Sequence, residues 1–177
     1  MHPLYQPVTE LMRAVSQEII LPYFQNLKTS EIEEKSPGDL VTIADKLSEE
    51  KLSDGLCKLL PEAVVIGEEA SAVDPSILRH LADDVAWIID PIDGTGNFAA
   101  GNSPFGIIIA LAEADETIAG WMFDPIRNRI CHSYKGHGSF IDGEKVTANG
   151  TVSGKPKAAL ATGFMTPEQR VKTIAQA

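Results

Sequence analysis

The sequence predicts an α+β fold, a mostly antiparallel sheet with helices packed against it. Three patterns carry that expectation. Residues 85–89, Val-Ala-Trp-Ile-Ile, form an apolar run with the length of a buried strand, too short to span a membrane. Ahead of it, apolar residues recur with the helical period of about 3.6. Behind it, from residue 105 onward, they follow a period of two and are interrupted by turn signals, the pattern of a meander.

Taken in order, Val8, Leu11, Met12, Val15 and Ile19 lie on one helical stripe. Pro7 or Thr9 marks its start, and Pro22 should kink or end it. Residues 28–38 are polar and contain Ser36-Pro37-Gly38, so they read as a surface loop. Thr42-Ile43-Ala44-Asp45 has the form of a capping box, opening a helix that carries Leu47, Leu52, Leu56, Leu59 and Leu60 and stops at Pro61. Capping alone would account for Asp45. Residues 63–66 form a short apolar strand that ends in Gly67-Glu68-Glu69, and Asp74-Pro75 opens a short helix through Leu81. The meander strands are expected at 105–112, 117–123, 129–134, 138–141 and 145–148, with Asp142-Gly143 as a hairpin turn. His132 and His137 read as ordinary sheet and turn residues. Thr166-Pro167-Glu168-Gln169 combines an N-cap, a first-turn proline and a capping-box glutamine, and Val171 and Ile174 begin an apolar stripe. That helix has just started when the sequence stops at Ala177. We therefore expect residues 1–165 to form a metal-binding α+β domain and 166–177 to begin a truncated helix leading to a further portion.

The 177 residues suffice for one domain with a sizeable core, and 44% hydrophobic with 23% charged residues is an ordinary globular composition. A net charge of −10 argues against a nucleic-acid polymer as partner. An acidic chain that handles phosphate needs a local positive charge, and a divalent metal is the natural source. The N-terminal residues lack a basic region followed by an apolar core, so no signal peptide is expected; nor is a membrane partner, and the expected compartment is cytoplasmic. Cys57 and Cys131 sit in apolar stretches and are expected as buried small hydrophobes, not as a disulfide or metal pair.

The chemistry concentrates in residues 85–98. The strand is expected to stop at Asp90, after which Pro91-Ile92 leads to Asp93-Gly94-Thr95-Gly96. Two carboxylates, one hydroxyl and flexible backbone N–H groups thus arrive at one strand end. Hard oxygen ligands at this spacing suit Mg²⁺, and N–H groups at the following turn suit a phosphate anion. Glu68 ends another strand, where open sheets place ligands. If the strands are neighbours, Glu68, Asp90 and Asp93 converge, and one or two Mg²⁺ ions would relieve their repulsion. Thr95 could then position a water, with Asp45 or Glu68 accepting its proton, while the N–H groups of 94–96 hold the phosphate.

These residues resemble the inositol monophosphatase superfamily of Mg²⁺-dependent, lithium-sensitive phosphatases. The resemblance rests on Trp87 to Phe98 with its Asp90-Pro91-Ile92-Asp93-Gly94-Thr95 core, on Lys35, Asp39-Leu40-Val41-Thr42 and Asp45, and on Gly67-Glu68-Glu69. Ser103-Pro104-Phe105 and the glycine-rich segment 135–140 extend it over essentially the whole chain. It implies a layered αβαβα fold, usually a homodimer, of which this chain would be the N-terminal portion. It implies that Glu68, Asp90, Asp93 and the Ile92 carbonyl hold two or more Mg²⁺ ions, and that Asp45 and Thr95 orient and activate the attacking water. Gly94 and Thr95, beside Asp93, would bind the phosphate of a small phosphorylated metabolite, and Lys35 would lie on a mobile loop near the metals. The implied reaction is hydrolysis of a phosphate monoester similar to inositol monophosphate. Histidinol phosphate, fructose bisphosphate and adenosine bisphosphate are alternative substrates within the superfamily. Two departures stand out. Gly96 replaces a common Thr, and the further metal-binding Asp of a Trp-Asp-x-Ala motif does not occur, which leaves a metal- and phosphate-binding domain without turnover as the other reading.

Other strand-end chemistries fit less well. An aspartyl-phosphate mechanism would need an acid at position 91, which is Pro91. A calcium-binding EF-hand loop would need alternate-position ligands and a closing glutamate.

Overall fold

An amphipathic start makes the first element a helix. α1 (Tyr5–Val15) buries Val8, Met12 and Val15 on its inner stripe. The structure, a computed structural model, describes residues 2–148 and 165–176. Pro22 does not interrupt the helix abruptly. The chain passes through a π-helical turn at Ser16–Ile20 into α2 (Leu21–Tyr23), where Pro22 lies in the first turn and its missing N–H is tolerated; the helix ends at Phe24.

The expected surface loop at 28–38 is in part a hairpin. β1 (Ile32–Ser36) pairs antiparallel with β2 (Asp39–Thr42), and Gly38 at φ +83° makes the tight turn. Ile32-Glu33-Glu34-Lys35-Ser36 has too little apolar alternation to announce a strand. The register slips between Glu34 and Ser36, leaving Lys35 at a bulge. α3 (Ile43–Leu59) follows with the expected capping box. Cys57 falls on its exposed side, away from buried Leu52 and Leu56, so the expectation of a buried thiol is wrong there; Cys131 is half-buried, and both are free.

β3 (Val64–Gly67) leads through α4 (Glu68–Val73), a 3-10 segment Pro75–Arg79 and α5 (His80–Asp83) to β4 (Val85–Asp93). The predicted helix through Leu81 is therefore split, although Asp74 caps its start by accepting from the Ser76 amide at 3.0 Å. β4 does not stop at Asp90. Asp90 pairs with Ile108 and Asp93 with Gly106, so three steps along β4 face two along its neighbour. The bulge lets the strand absorb Pro91, which has no N–H for the ladder.

After α6 (Thr95–Ala99) the meander runs as expected: β5 (Gly106–Glu113), β6 (Glu116–Asp124), β7 (Arg129–Tyr134), β8 (Gly138–Ile141) and β9 (Glu144–Val146). Strand order in the seven-stranded sheet is β3-β4-β5-β6-β7-β8-β9, and the β3–β4 pair is parallel while the others are antiparallel. One face packs on α1 and α3. There Trp87, Ile89, Ile107, Ile109, Trp121 and Phe123 meet the apolar stripes of the helices, a mixed α+β core. None of the helices among the described residues is long and apolar enough to cross a membrane.

The chain divides into two units, Met1–Thr147 and Ala148–Ala177. In the second, α7 (Pro167–Gln176) has the predicted capping box, with the Gln169 amide on Thr166 Oγ1 and the Thr166 amide on Gln169 Oε1. Residues 149–164, assigned to the first domain by sequence, lie outside the described residues.

His132 is more deeply placed than a routine sheet residue. It is 2% exposed, packed among Tyr5, Trp121 and Phe140, and neither ring nitrogen has a hydrogen-bond partner. Burial, with repulsion from His2, lowers its pKa to about 4 from 6.5. The folded state thus binds this proton more weakly than the unfolded chain, so stability rises with pH between those values and is lost on acidification. The span corresponds to at most about 3 kcal/mol. In His132→Phe, the fall of the urea midpoint between pH 6.5 and 4.5 should be shallower than in the parent. An equal fall in both proteins would show that another group governs acid sensitivity.

Candidate active site

β3 and β4 build the site by their register. Because they run parallel with Gly67 opposite Ile89, the next residues stand side by side: Glu68, where the chain leaves β3 for α4, and Asp90, still paired within β4. Both line a cavity of about 290 Å³, together with Ser71, Leu78, Ile88 and Ile108. Asp93, exposed at the end of β4, lines an adjoining stretch of sheet, in a cavity of about 350 Å³ with Phe105, Met122 and Arg129. Asp90 is half-buried, and its Oδ1 is buried without a hydrogen-bond partner. Burial raises the Asp90 carboxyl to about 7, with further contributions from the charges of Glu68 and Asp93.

α3 delivers the second component. Thr42 Oγ1 accepts from the Ala44 amide at 3.2 Å, and Asp45 Oδ2 accepts from the Thr42 amide at 2.9 Å and hydroxyl at 2.5 Å. The cap uses only one oxygen of Asp45. Its Oδ1 lies 3.0 Å from Thr95 Oγ1, which starts α6 and is also 3.0 Å from the Ile92 carbonyl. The single hydroxyl proton of Thr95 serves one acceptor at a time. Asp45 is 1% exposed; burial raises its carboxyl above the usual range, opposed by the hydrogen bonds from Thr42 and Thr95.

Gly94 is fixed by sterics. Its φ is +89°, and a Cβ would lie 3.2 Å from the Pro104 carbonyl. Asn97 Nδ2 donates to that same carbonyl at 2.8 Å, holding α6 to the 103–105 segment. Gly96 is different: a Cβ there would meet nothing within 4 Å, so packing does not require its departure from Thr.

Lys35 reaches the site from the hairpin bulge. Its Nζ is 3.1 Å from Glu68 Oε1, 3.1 Å from Glu69 Oε1 and 3.9 Å from Asp39 Oδ1. Burial would lower the Lys35 pKa, but hydrogen bonds and charge from Glu69 and Glu68 outweigh it and raise it. Glu69 is raised in turn, chiefly by burial. Glu68 therefore faces Lys35, and among the described residues no group of three or more His, Cys, Asp or Glu side chains is gathered closely enough to hold a metal ion. The donor chemistry nevertheless fits a divalent cation. Asp90 offers a buried oxygen with no partner, crowded by two carboxylates whose repulsion a cation would cancel.

The structure thus pairs Asp45 with Thr95, sets Glu68 beside Asp90, and places the Ile92 carbonyl and Asp93 at the end of β4, with Gly94 on the turn into α6. Sequence reasoning missed Glu49. Its carboxylate accepts from the amides of Glu69 at 2.8 Å and Ala70 at 2.9 Å, a contact across 20 residues that local patterns do not signal.

A mixed sheet backed by helices, with acidic side chains near the ends of two parallel strands, defines the class: an α+β protein with a cluster of acids at one end of its sheet. Residues 1–176 match the model of the inositol monophosphatase family, and the chain belongs to that family. It is 28% identical over 166 residues to a fructose-1,6-bisphosphatase/inositol-1-monophosphatase of Aquifex aeolicus, covering 94% of this chain and 60% of that protein. It is 29% identical over 164 residues to Nus factor SuhB of Escherichia coli, covering 93% of this chain and 59% of that one. Among solved structures, an inositol monophosphatase of Thermotoga maritima superposes with a TM-score of 0.65 at 26% identity, covering 80% of this chain and 52% of the other. A SuhB protein of Bartonella henselae gives 0.68 at 25%, covering 81% and 54%. The chain therefore spans between about half and three-fifths of the length of these relatives.

Asp90 carries a testable cost. Its carboxyl is raised in the folded state, so the fold loses stability as pH rises from 3.8 towards 7 and Asp90 ionises. Without divalent cations, Asp90→Asn should stabilise the protein at pH 8 by on the order of 1–2 kcal/mol, after allowance for solvent screening, and change little at pH 4. Destabilisation at pH 8 in thermal or urea unfolding would mean that the carboxylate is compensated by the protein itself.

Proposed function

We propose that this chain carries the water-activating metal site of a Mg²⁺-dependent phosphoric monoester hydrolase. In this reading it acts in the cytoplasm, as a homodimer, on a small phosphorylated metabolite similar to inositol monophosphate. One observation carries the reading: Thr95, at the start of α6, donates to buried Asp45 at 3.0 Å, while Asp90 on the strand that leads into that turn keeps a buried oxygen without a partner. Family membership supports phosphatase activity in general.

Glu68, Asp90, Asp93 and the Ile92 carbonyl would hold two or more Mg²⁺ ions. When bound, Mg²⁺ supplies an acidified water and polarises the phosphoryl oxygens. The chain does the rest. Thr95 turns its hydroxyl proton toward Asp45, which leaves its oxygen lone pair to orient a water. Asp45, buried and braced by two hydrogen bonds from Thr42, accepts the proton released through that pair; Glu68 is the alternative acceptor. The Gly94 and Thr95 amides at the start of α6 donate to a phosphate oxygen, and a side chain at 94 would obstruct that turn. Lys35 neutralises Glu68 and Glu69 until cations take over that task.

A second reading is a metal- and phosphate-binding domain without turnover. It is favoured by the relatives named Nus factor SuhB and by the partial coverage of the relatives' length. Phosphate release by the 177-residue chain, measured against Mg²⁺ concentration with inositol 1-phosphate, histidinol phosphate and fructose bisphosphate, separates the two. The enzyme reading expects release that requires Mg²⁺ and falls by roughly 10–100-fold or more in Asp93→Asn. Mg²⁺ binding without release from any ester would favour the second reading. Absence of both would sink the site assignment.

A further inference from the structure

A buried carboxylate that the mechanism leaves unused lies directly behind the site. Glu49 is 8% exposed on α3, one helical turn beyond Asp45 and on the same buried face. Its Oε2 accepts from the Glu69 amide at 2.8 Å and its Oε1 from the Ala70 amide at 2.9 Å. These are first-turn N–H groups of α4, which have no acceptor within the helix. The residue that would ordinarily cap α4 is Gly67, which has no side chain, and there is no room for one. A Cβ on Gly67 would lie 2.2 Å from Glu49 Cδ and 2.4 and 2.5 Å from its two oxygens. Glu49 therefore occupies the space of the missing cap and performs its task from another helix.

The consequence falls on Glu68. The backbone before it is held by the Gly67 pairing with β4, and the backbone after it by Glu49. A helix of six residues has little stability of its own, so without these bonds its first residue would lose a fixed direction. α3 also holds Asp45 against Thr95, so one rigid helix sets both Glu68 and the water-activating pair. We infer that Glu49 is a positioning residue for metal binding: it aims Glu68 at Asp90 by capping α4 through space kept open by Gly67. This rests on the reading of Glu68 as a metal ligand.

The geometry supplies its own control. Glu49→Ala removes the cap and leaves a void, and adding Gly67→Ala then fills that void with a methyl group that no longer collides. Gly67 has φ −90°, a backbone conformation open to Ala. In the full chain, Glu49→Ala/Gly67→Ala should recover thermal stability relative to Glu49→Ala. It should still lose hydrogen-exchange protection at the Glu69 and Ala70 amides, and bind Mg²⁺ roughly 10–100-fold more weakly than the parent by calorimetry. Glu49→Gln, which preserves shape and one acceptor oxygen, should fall between and provides the measurement if the alanine variants do not fold. Parental Mg²⁺ affinity in the double variant or in Glu49→Gln, with amide protection lost, would overturn the inference and leave Glu49 as a cap only. If the parent itself binds no Mg²⁺, the reading of Glu68 as a ligand fails first and this inference with it, and that outcome is visible without any variant.

Discussion

Like charges held at neighbouring strand ends repel, and much of this structure is arranged around that repulsion. At an effective dielectric near 20, two carboxylates about 4 Å apart cost roughly 4 kcal/mol. The protein meets that cost in three ways. Lys35 pairs with Glu68 and Glu69, burial and crowding favour the protonated form of Asp90, and Asp45 turns its oxygens to hydroxyl and amide donors. An acidic chain without such devices would spread these groups apart. Here the sheet prevents that, because the β3–β4 register is set by buried Ile66 and Ile89 rather than by the acids beyond them.

The scaffold has a division of labour. The inner face of the sheet and the stripes of α1 and α3 supply the apolar burial that offsets the entropy of ordering the chain. α3 also carries polar work on its buried face, holding Thr95 at one level and the start of α4 at the next. A helix rigid over 17 residues thus fixes the distance between parts of the site that come from different strands. The two glycines that matter do so for opposite reasons. Gly94 adopts a left-handed backbone, whereas Gly67 has an ordinary one and is needed for the space it leaves empty.

Much of the fold is legible in the sequence, and the reasons are local. The capping box at Thr42 and Asp45, the apolar run at 85–89 and the turn signals of the meander are each encoded within a few residues. The β1–β2 hairpin is not legible, because Glu33, Glu34 and Lys35 interrupt any apolar alternation. The length of β4 is hidden at Pro91, where a bulge accommodates a residue that would otherwise end a strand. Cys57 is misplaced by sequence reasoning because an apolar neighbourhood does not say which side of the helix a residue takes. Within the site, strand-end acids are visible as residues but their neighbourhood is not. That Glu68 and Asp90 come side by side depends on a parallel pairing, and that Glu49 holds the start of α4 depends on tertiary packing.

The connectivity of the sheet also bears on how the chain folds. From β5 to β9 each strand pairs with the next in sequence across a turn of a few residues, so those pairings form by closing short loops. The β3–β4 pair is different: residues 68–84 must cross over before Gly67 meets Ile89, and closing that longer loop costs more entropy before any ladder bond forms. The meander can therefore zip up ahead of this pairing. Glu68 and Asp90 straddle it, so the acids come together only when the one parallel pairing of the sheet among the described residues has closed.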